Sequence, residues 1–103
     1  MEFTGYESEE ITKTEAIAWT TNYRTANPNS IKAHAFGKNK IESLLAQTGC
    51  VGFRAYHAID NTGAKQLVLV GINANGEDLH DGIILDKSAP CPNNCDDYSP
   101  LNS

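Results

Sequence analysis

Gln66-Leu67-Val68-Leu69-Val70-Gly71-Ile72 is the segment that most restricts how this chain folds. It is almost wholly aliphatic, too short for an ordinary helix, and bounded by Asp60-Asn61-Thr62-Gly63 before it and Asn73-Ala74-Asn75-Gly76 after it. An apolar run of this length between turn sequences reads as a strand that needs cover on both faces, and therefore as a central one. Its side chains alternate, so Val68, Val70 and Ile72 share one face while Leu67 and Leu69 share the other.

The surrounding sequence supplies partners for that strand. From Cys50 to Asp60 the odd positions Val51, Phe53, Ala55 and Ile59 are apolar, with Arg54, Tyr56 and Asp60 between them. This is the two-residue period of a half-covered strand, and the short link to residues 66–72 makes an antiparallel hairpin over 50–72. Ile83-Ile84-Leu85 predicts a third strand near 83–86, pairing on the open side of the second. Thr12 and Glu15 form a T-x-x-E capping box, so a helix is expected from Lys13, with Ala16, Trp19, Thr20 and Tyr23 on one face. Asn27 before Pro28 stops it near Ala26. Ile41, Leu44, Leu45 and Thr48 repeat the helical period, and Gly49 offers the left-handed conformation that closes a helix, giving a second helix over about 39–48. Its start is contested between Gly37 and an Asn39–Glu42 capping pair. Residues 31–36 read as a short strand or a helical turn.

The expected fold class is α+β, two helices packed on a small antiparallel sheet of about three strands. At 103 residues one core is expected. Residues 1–10 carry four glutamates and read as an acidic N-terminal arm; 11–88 form a single α+β domain; 89–103 are a C-terminal tail containing Pro90, Pro92, Pro100, Cys91 and Cys95. Thirteen acidic and eight basic residues give a net charge of -5, which argues against nucleic acid and anionic membrane surfaces as partners. The opening residues lack an export-signal pattern and Leu67–Val70 is far too short to span a bilayer, so a cytoplasmic location is expected and no membrane association.

The run His34-Ala35-Phe36-Gly37-Lys38, the segment Glu42 to Gln47, then Gly49-Cys50-Val51-Gly52-Phe53-Arg54, Gln66 to Gly71, and Cys91-Pro92-Asn93-Asn94-Cys95 resemble a group of small bacterial proteins without an established activity. The resemblance spans most of residues 10–101. It implies a self-contained small protein and lends no catalytic residue.

Several constellations bear on chemistry. Cys91 and Cys95 lie at a spacing zinc tolerates, and Cys50 with a histidine, His57 first, would complete four ligands. A structural zinc site usually shows two such pairs, whereas here the second half has no spacing rule, so no cofactor is expected and zinc stands as the rival. Two free thiols are the default reading of Cys91 and Cys95, with a local disulfide as the alternative. Thiol catalysis by Cys50 with His57 as base fails on strand geometry, because seven residues of strand span about 23 Å. His57 shares the apolar parity and is expected to be partly buried and hydrogen-bonded. A calcium loop at Asn73 to Asp78 fails because the first and twelfth ligand positions fall on Gly71 and Gly82. Lys32, His34, Lys38 and Lys40 form the one cationic stretch, a candidate anion contact set against a solvated face or pairing with acidic residues 7–10.

No residue pattern names a reaction. The function expected is that of a small non-enzymatic interaction or structural protein that self-associates, a dimer first, because two modest helices lying on one side of the sheet leave Val68, Val70 and Ile72 as an uncovered face; the alternative is one helix on each face with the proline-containing tail filling gaps. The rival is a small thiol- or zinc-dependent protein using Cys50, Cys91, Cys95 and a histidine.

Overall fold

A computed structural model describes residues 2–102. The elements in chain order are helix α1 (Lys13–Ala26), strand β1 (Ala33–Ala35), helix α2 (Lys38–Leu45), strands β2 (Gly52–Ile59), β3 (Lys65–Ile72), β4 (Ile84–Leu85) and β5 (Ala89–Cys91). The fold is α+β, as the residue patterns required. Among the described residues no helix is long and apolar enough to cross a membrane.

The chain forms two compact units. The first joins the N-terminal segment ending at Glu7 to Phe36–Ser88; the second joins Ser8–Ala35 to the C-terminal segment beginning at Ala89.

The first unit is built on an antiparallel sheet in the order β2-β3-β4. In the hairpin Gly52 pairs with Ile72 and Ile59 with Lys65, and Leu69 and Val70 pair with Leu85 and Ile84 on the far side. Two turns set this register. Gly63 donates to the Asp60 carbonyl at 3.0 Å with φ +87°, and Gly76 donates to the Asn73 carbonyl at 2.9 Å with φ +80°, the left-handed geometry glycine adopts without steric cost. Helix α2 packs against β2 and β3 and contributes Leu44, fully buried with Leu69 and Ile72.

Gly37 is the N-cap of α2 and Gly49 has the expected positive φ, yet the helix ends at Leu45 and not near 48. Gln47 accounts for the difference. Its Nε2 donates to the Leu44 carbonyl at 2.9 Å, and its Oε1 accepts the Ile83 amide at 2.8 Å. Beyond the bond from the Ala46 amide to the Glu42 carbonyl, the Gln47 amide turns to the Leu44 carbonyl at 3.4 Å in place of that of Ser43, so the last turn tightens and closes while the Gln47 side chain anchors the approach to β4.

On the opposite side of the sheet the N-terminal segment is tied down. The Phe3 amide donates to the Ala74 carbonyl at 2.8 Å, and its ring lies so close to Gly52 that a Cβ there would meet Phe3 Cε1 at 2.7 Å. Gly52 is therefore the gap in β2 that admits the ring, which sits over the Ile72 end of the sheet.

The second unit combines α1 with the two-stranded β1-β5 sheet, in which Ala33 pairs with Cys91 and Ala35 with Ala89. Both arms of the capping box are made at the start of α1: Glu15 N donates to Thr12 Oγ1 at 3.1 Å, and Thr12 N donates to Glu15 Oε1 at 3.4 Å. The proline-rich segment is not element-free, because β5 finds its partner far back in sequence at β1.

Candidate functional site

Strand β2 is the edge of its sheet, and ladder arithmetic shows what that edge offers. The Asp60 amide donates to the Ala64 carbonyl at 2.9 Å, which fixes the even-numbered residues of β2 as those that exchange hydrogen bonds with β3. The odd-numbered residues Phe53, Ala55, His57 and Ile59 then aim their N–H and C=O groups at the outer edge. Among the described residues no backbone hydrogen bond joins that stretch of edge to another segment. Their side chains are uncovered as well: Phe53 is 44% and Ile59 73% exposed, and Ala55 and His57 are also exposed.

The parity read from the sequence is thereby corrected. Alternation identified the apolar set on β2, but the half-buried positions are the even ones Gly52, Arg54 and Ala58. His57 is exposed, not partly buried. The cause is the location of the cover: Phe3 fills the even side at Gly52, while on the odd side Gln47, Cys50 and Leu79 gather at Gly71, at the far end of the strand from His57 and Ile59.

The even side carries a polar network that residue patterns missed. Arg54 Nη1 donates to Asp78 Oδ1, the Tyr56 hydroxyl donates to Asp78 Oδ2, and both Arg54 amino groups reach the Gly76 carbonyl at 3.3–3.4 Å. The Tyr56 hydroxyl, and with it the Arg54 guanidinium, holds the Asp78 carboxyl below the usual carboxylate range; the bond to Asp78 in turn pushes the Tyr56 phenol up. The network ties the 73–79 loop to β2. Arg54 and Tyr56 at an i, i+2 spacing were the available signal, since such residues share a face of a strand.

The zinc set is not assembled. Cys91 and Cys95 are bonded to each other, with Cα atoms 4.8 Å apart, inside the range a disulfide requires. This corrects the reading of both as free thiols and removes both sulfurs as thiolate ligands. Cys50 is half-buried and its thiol donates to the Gly52 carbonyl at 3.1 Å. Among the described residues no three His, Cys, Asp or Glu side chains gather as a metal site.

The interface set is corrected too. Val70 and Ile72 are only 4% and 1% exposed and Val68 is half-buried, so the face expected to lie open is enclosed within one chain. Of the cationic stretch, Lys32 and His34 belong to the second unit, Lys38 and Lys40 to the first. Lys38 pairs with Glu42 one turn along α2 at 3.7 Å.

The second unit holds a cavity of about 500 Å³. Trp19, Tyr23 and Arg24 of α1 form one wall, the Cys91–Cys95 bridge another, and Lys32 stands at the approach to β1. The C-terminal residues close it: Arg24 Nη1 donates to the Leu101 carbonyl, and Lys32 Nζ donates to Asn102 Oδ1 at 3.1 Å.

No protein-family model, no curated protein and no solved structure matches this chain.

Proposed function

We propose that this is a non-enzymatic interaction protein that self-associates through the outer edge of β2. One observation carries the reading: an eight-residue edge strand with its outward backbone groups uncommitted and its exposed side apolar at Phe53, Ala55 and Ile59. Strands at sheet edges in monomeric proteins are normally short, charged or covered, and one with none of these protections is a template for another strand. A second copy meets it by twofold symmetry, the commonest arrangement for small soluble proteins. In the antiparallel pairing that sets Tyr56 opposite itself, Phe53 of each copy faces Ile59 of the other and two three-stranded sheets become one.

Sedimentation equilibrium at about 100 μM, where an interface of standard size should be filled, is expected to give a dimer mass. Ala55→Pro removes one outward amide and no bond to β3, so this variant is expected to be a monomer with an unchanged far-ultraviolet spectrum. A wild-type monomer at that concentration, or a dimer indifferent to the proline, overturns the reading.

A further inference from the structure

We infer that the Cys91–Cys95 bridge is a thiol–disulfide exchange site, its Cys95 sulfur attacked by a small neutral thiol that enters through the cavity of the second unit. This goes beyond the association proposed for the β2 edge and is independent of it, because that edge lies in the other unit.

Three observations carry it. The first is access. Both cysteines line the cavity, whose volume of about 500 Å³ is that of a small-molecule site, so the bridge has room beside it for a reacting thiol. The second is the difference between its two ends. Cys91 is a paired residue of β5 and only 5% exposed, whereas Cys95 lies outside the strands and is half-buried. Exchange begins at the sulfur that the attacking thiolate reaches, and that is Cys95. Charge selects the same direction: a thiolate released on Cys95 would stand beside Asp96 and Asp97, one released on Cys91 between Pro90 and Pro92. The third is what happens to the released sulfur. The two Cα atoms are 4.8 Å apart with only residues 92–94 between them, so Cys91 stays at high effective concentration beside the mixed disulfide. Asn102 Oδ1 lies 3.8 Å from Cys91 Sγ, placed to accept from its thiol.

In the step itself the incoming thiolate bonds to Cys95 Sγ as the Cys91–Cys95 bond breaks, and Cys91 leaves as a thiolate that takes up a proton. Cys91 can then attack the mixed disulfide, expel the thiol and restore the bridge. Alternatively a second thiol attacks the sulfur of the first and Cys95 leaves. Two thiols have then become one external disulfide and the bridge two thiols, a two-electron exchange.

The whole chain is exposed briefly to 2-mercaptoethanol, quenched in acid and capped with N-ethylmaleimide. Fragment masses of the peptide carrying both cysteines are expected to place the mercaptoethanol on Cys95 about tenfold or more over Cys91, a preference that narrows in denaturing urea. The single-substitution variants Cys91→Ser and Cys95→Ser read the same choice where the mixed disulfide is too short-lived to trap: 2-hydroxyethyl disulfide is expected to modify Cys95 faster than Cys91. Ala33 lines the cavity at an exposed position and pairs with Cys91, so its side chain shares a sheet face with that cysteine. Ala33→Leu and Ala33→Trp are expected to slow the reaction of the folded chain progressively and to leave the rate in urea unchanged. Adduct on Cys91, or on both cysteines alike, overturns the assignment of Cys95, and a preference undiminished in urea overturns the part given to the fold. Rates indifferent to both Ala33 substitutions overturn the cavity as the route. A folded chain that stays unreactive where the unfolded chain is modified overturns the site.

Discussion

At the turn joining β2 to β3 the Asp60 carboxylate accepts four hydrogen bonds, from Thr62 N at 2.8 Å, Thr62 Oγ1 at 2.6 Å, Ala64 N at 3.0 Å and Gln66 Nε2 at 3.0 Å. The Thr62 hydroxyl, then Gln66 and the two amides, hold its carboxyl far below the ordinary carboxylate range. A carboxylate whose folded value is depressed stabilises the fold above its unfolded value, and that contribution is lost as pH falls toward the folded value. Asp60→Asn is therefore expected to lower the urea midpoint at neutral pH, with the gap to the wild type narrowing as pH falls below about 4. A gap that stays constant across that window would mean that Asp60 acts through shape alone. Burial acts on the half-buried Asp60 in the opposite direction, and the hydrogen bonds outweigh it. Phe3 is the apolar counterpart. A single ring reaching Gly52 orders the start of the chain, and Gly52→Ala would drive it off the sheet.

Among the elements, α2 hangs on one enclosed side chain. It has eight residues, below the length at which an isolated helix persists, and Leu44 is its only buried side chain. Leu44→Ala is expected to cost about 2–5 kcal/mol, measured by denaturant unfolding, because a fully enclosed leucine leaves a cavity. The helices show what was legible in the residues and why. Helix α1 was readable to both ends because its signals, Thr12 with Glu15 and Asn27 before Pro28, act within a few positions. The end of α2 was not, because the side chain of Gln47, where the helix tightens and closes, is held by Ile83, 36 positions away. The hairpin was readable from its turns, but alternation along β2 could not say which side would be covered; that depended on Phe3 and on Gln47. Strand β5 was hidden by its prolines and by a partner more than fifty residues earlier. In the cavity, Cys91 and Cys95 drew notice by their spacing, whereas the ties of Arg24 to Leu101 and Lys32 to Asn102 span 77 and 70 positions and leave no local trace.

For the whole molecule, the division into two units gives the disulfide a local meaning. It lies in the unit closed by three paired residues of β1 and β5 and by the contacts of Arg24 and Lys32 with the C-terminal residues. Reduction is expected to raise amide exchange at Ala33–Ala35, Ala89 and Cys91 while Val68–Ile72 stay protected, because the bridge constrains only the segment that carries it. Loss of protection throughout would show that both units open together. The cytosol keeps most protein thiols reduced, so this same measurement tells in which state the second unit would exist there. The interleaving has one more consequence. Because Ser8–Ala35 and the stretch from Ala89 onward make one unit with Phe36–Ser88 between them, a ribosome delivers the two halves of that unit at different times. The intervening hairpin has all its partners nearby and can settle early. Helix α1 must wait, its aromatic side uncovered, until the far half arrives, and that interval is when a nascent chain is most in need of a chaperone.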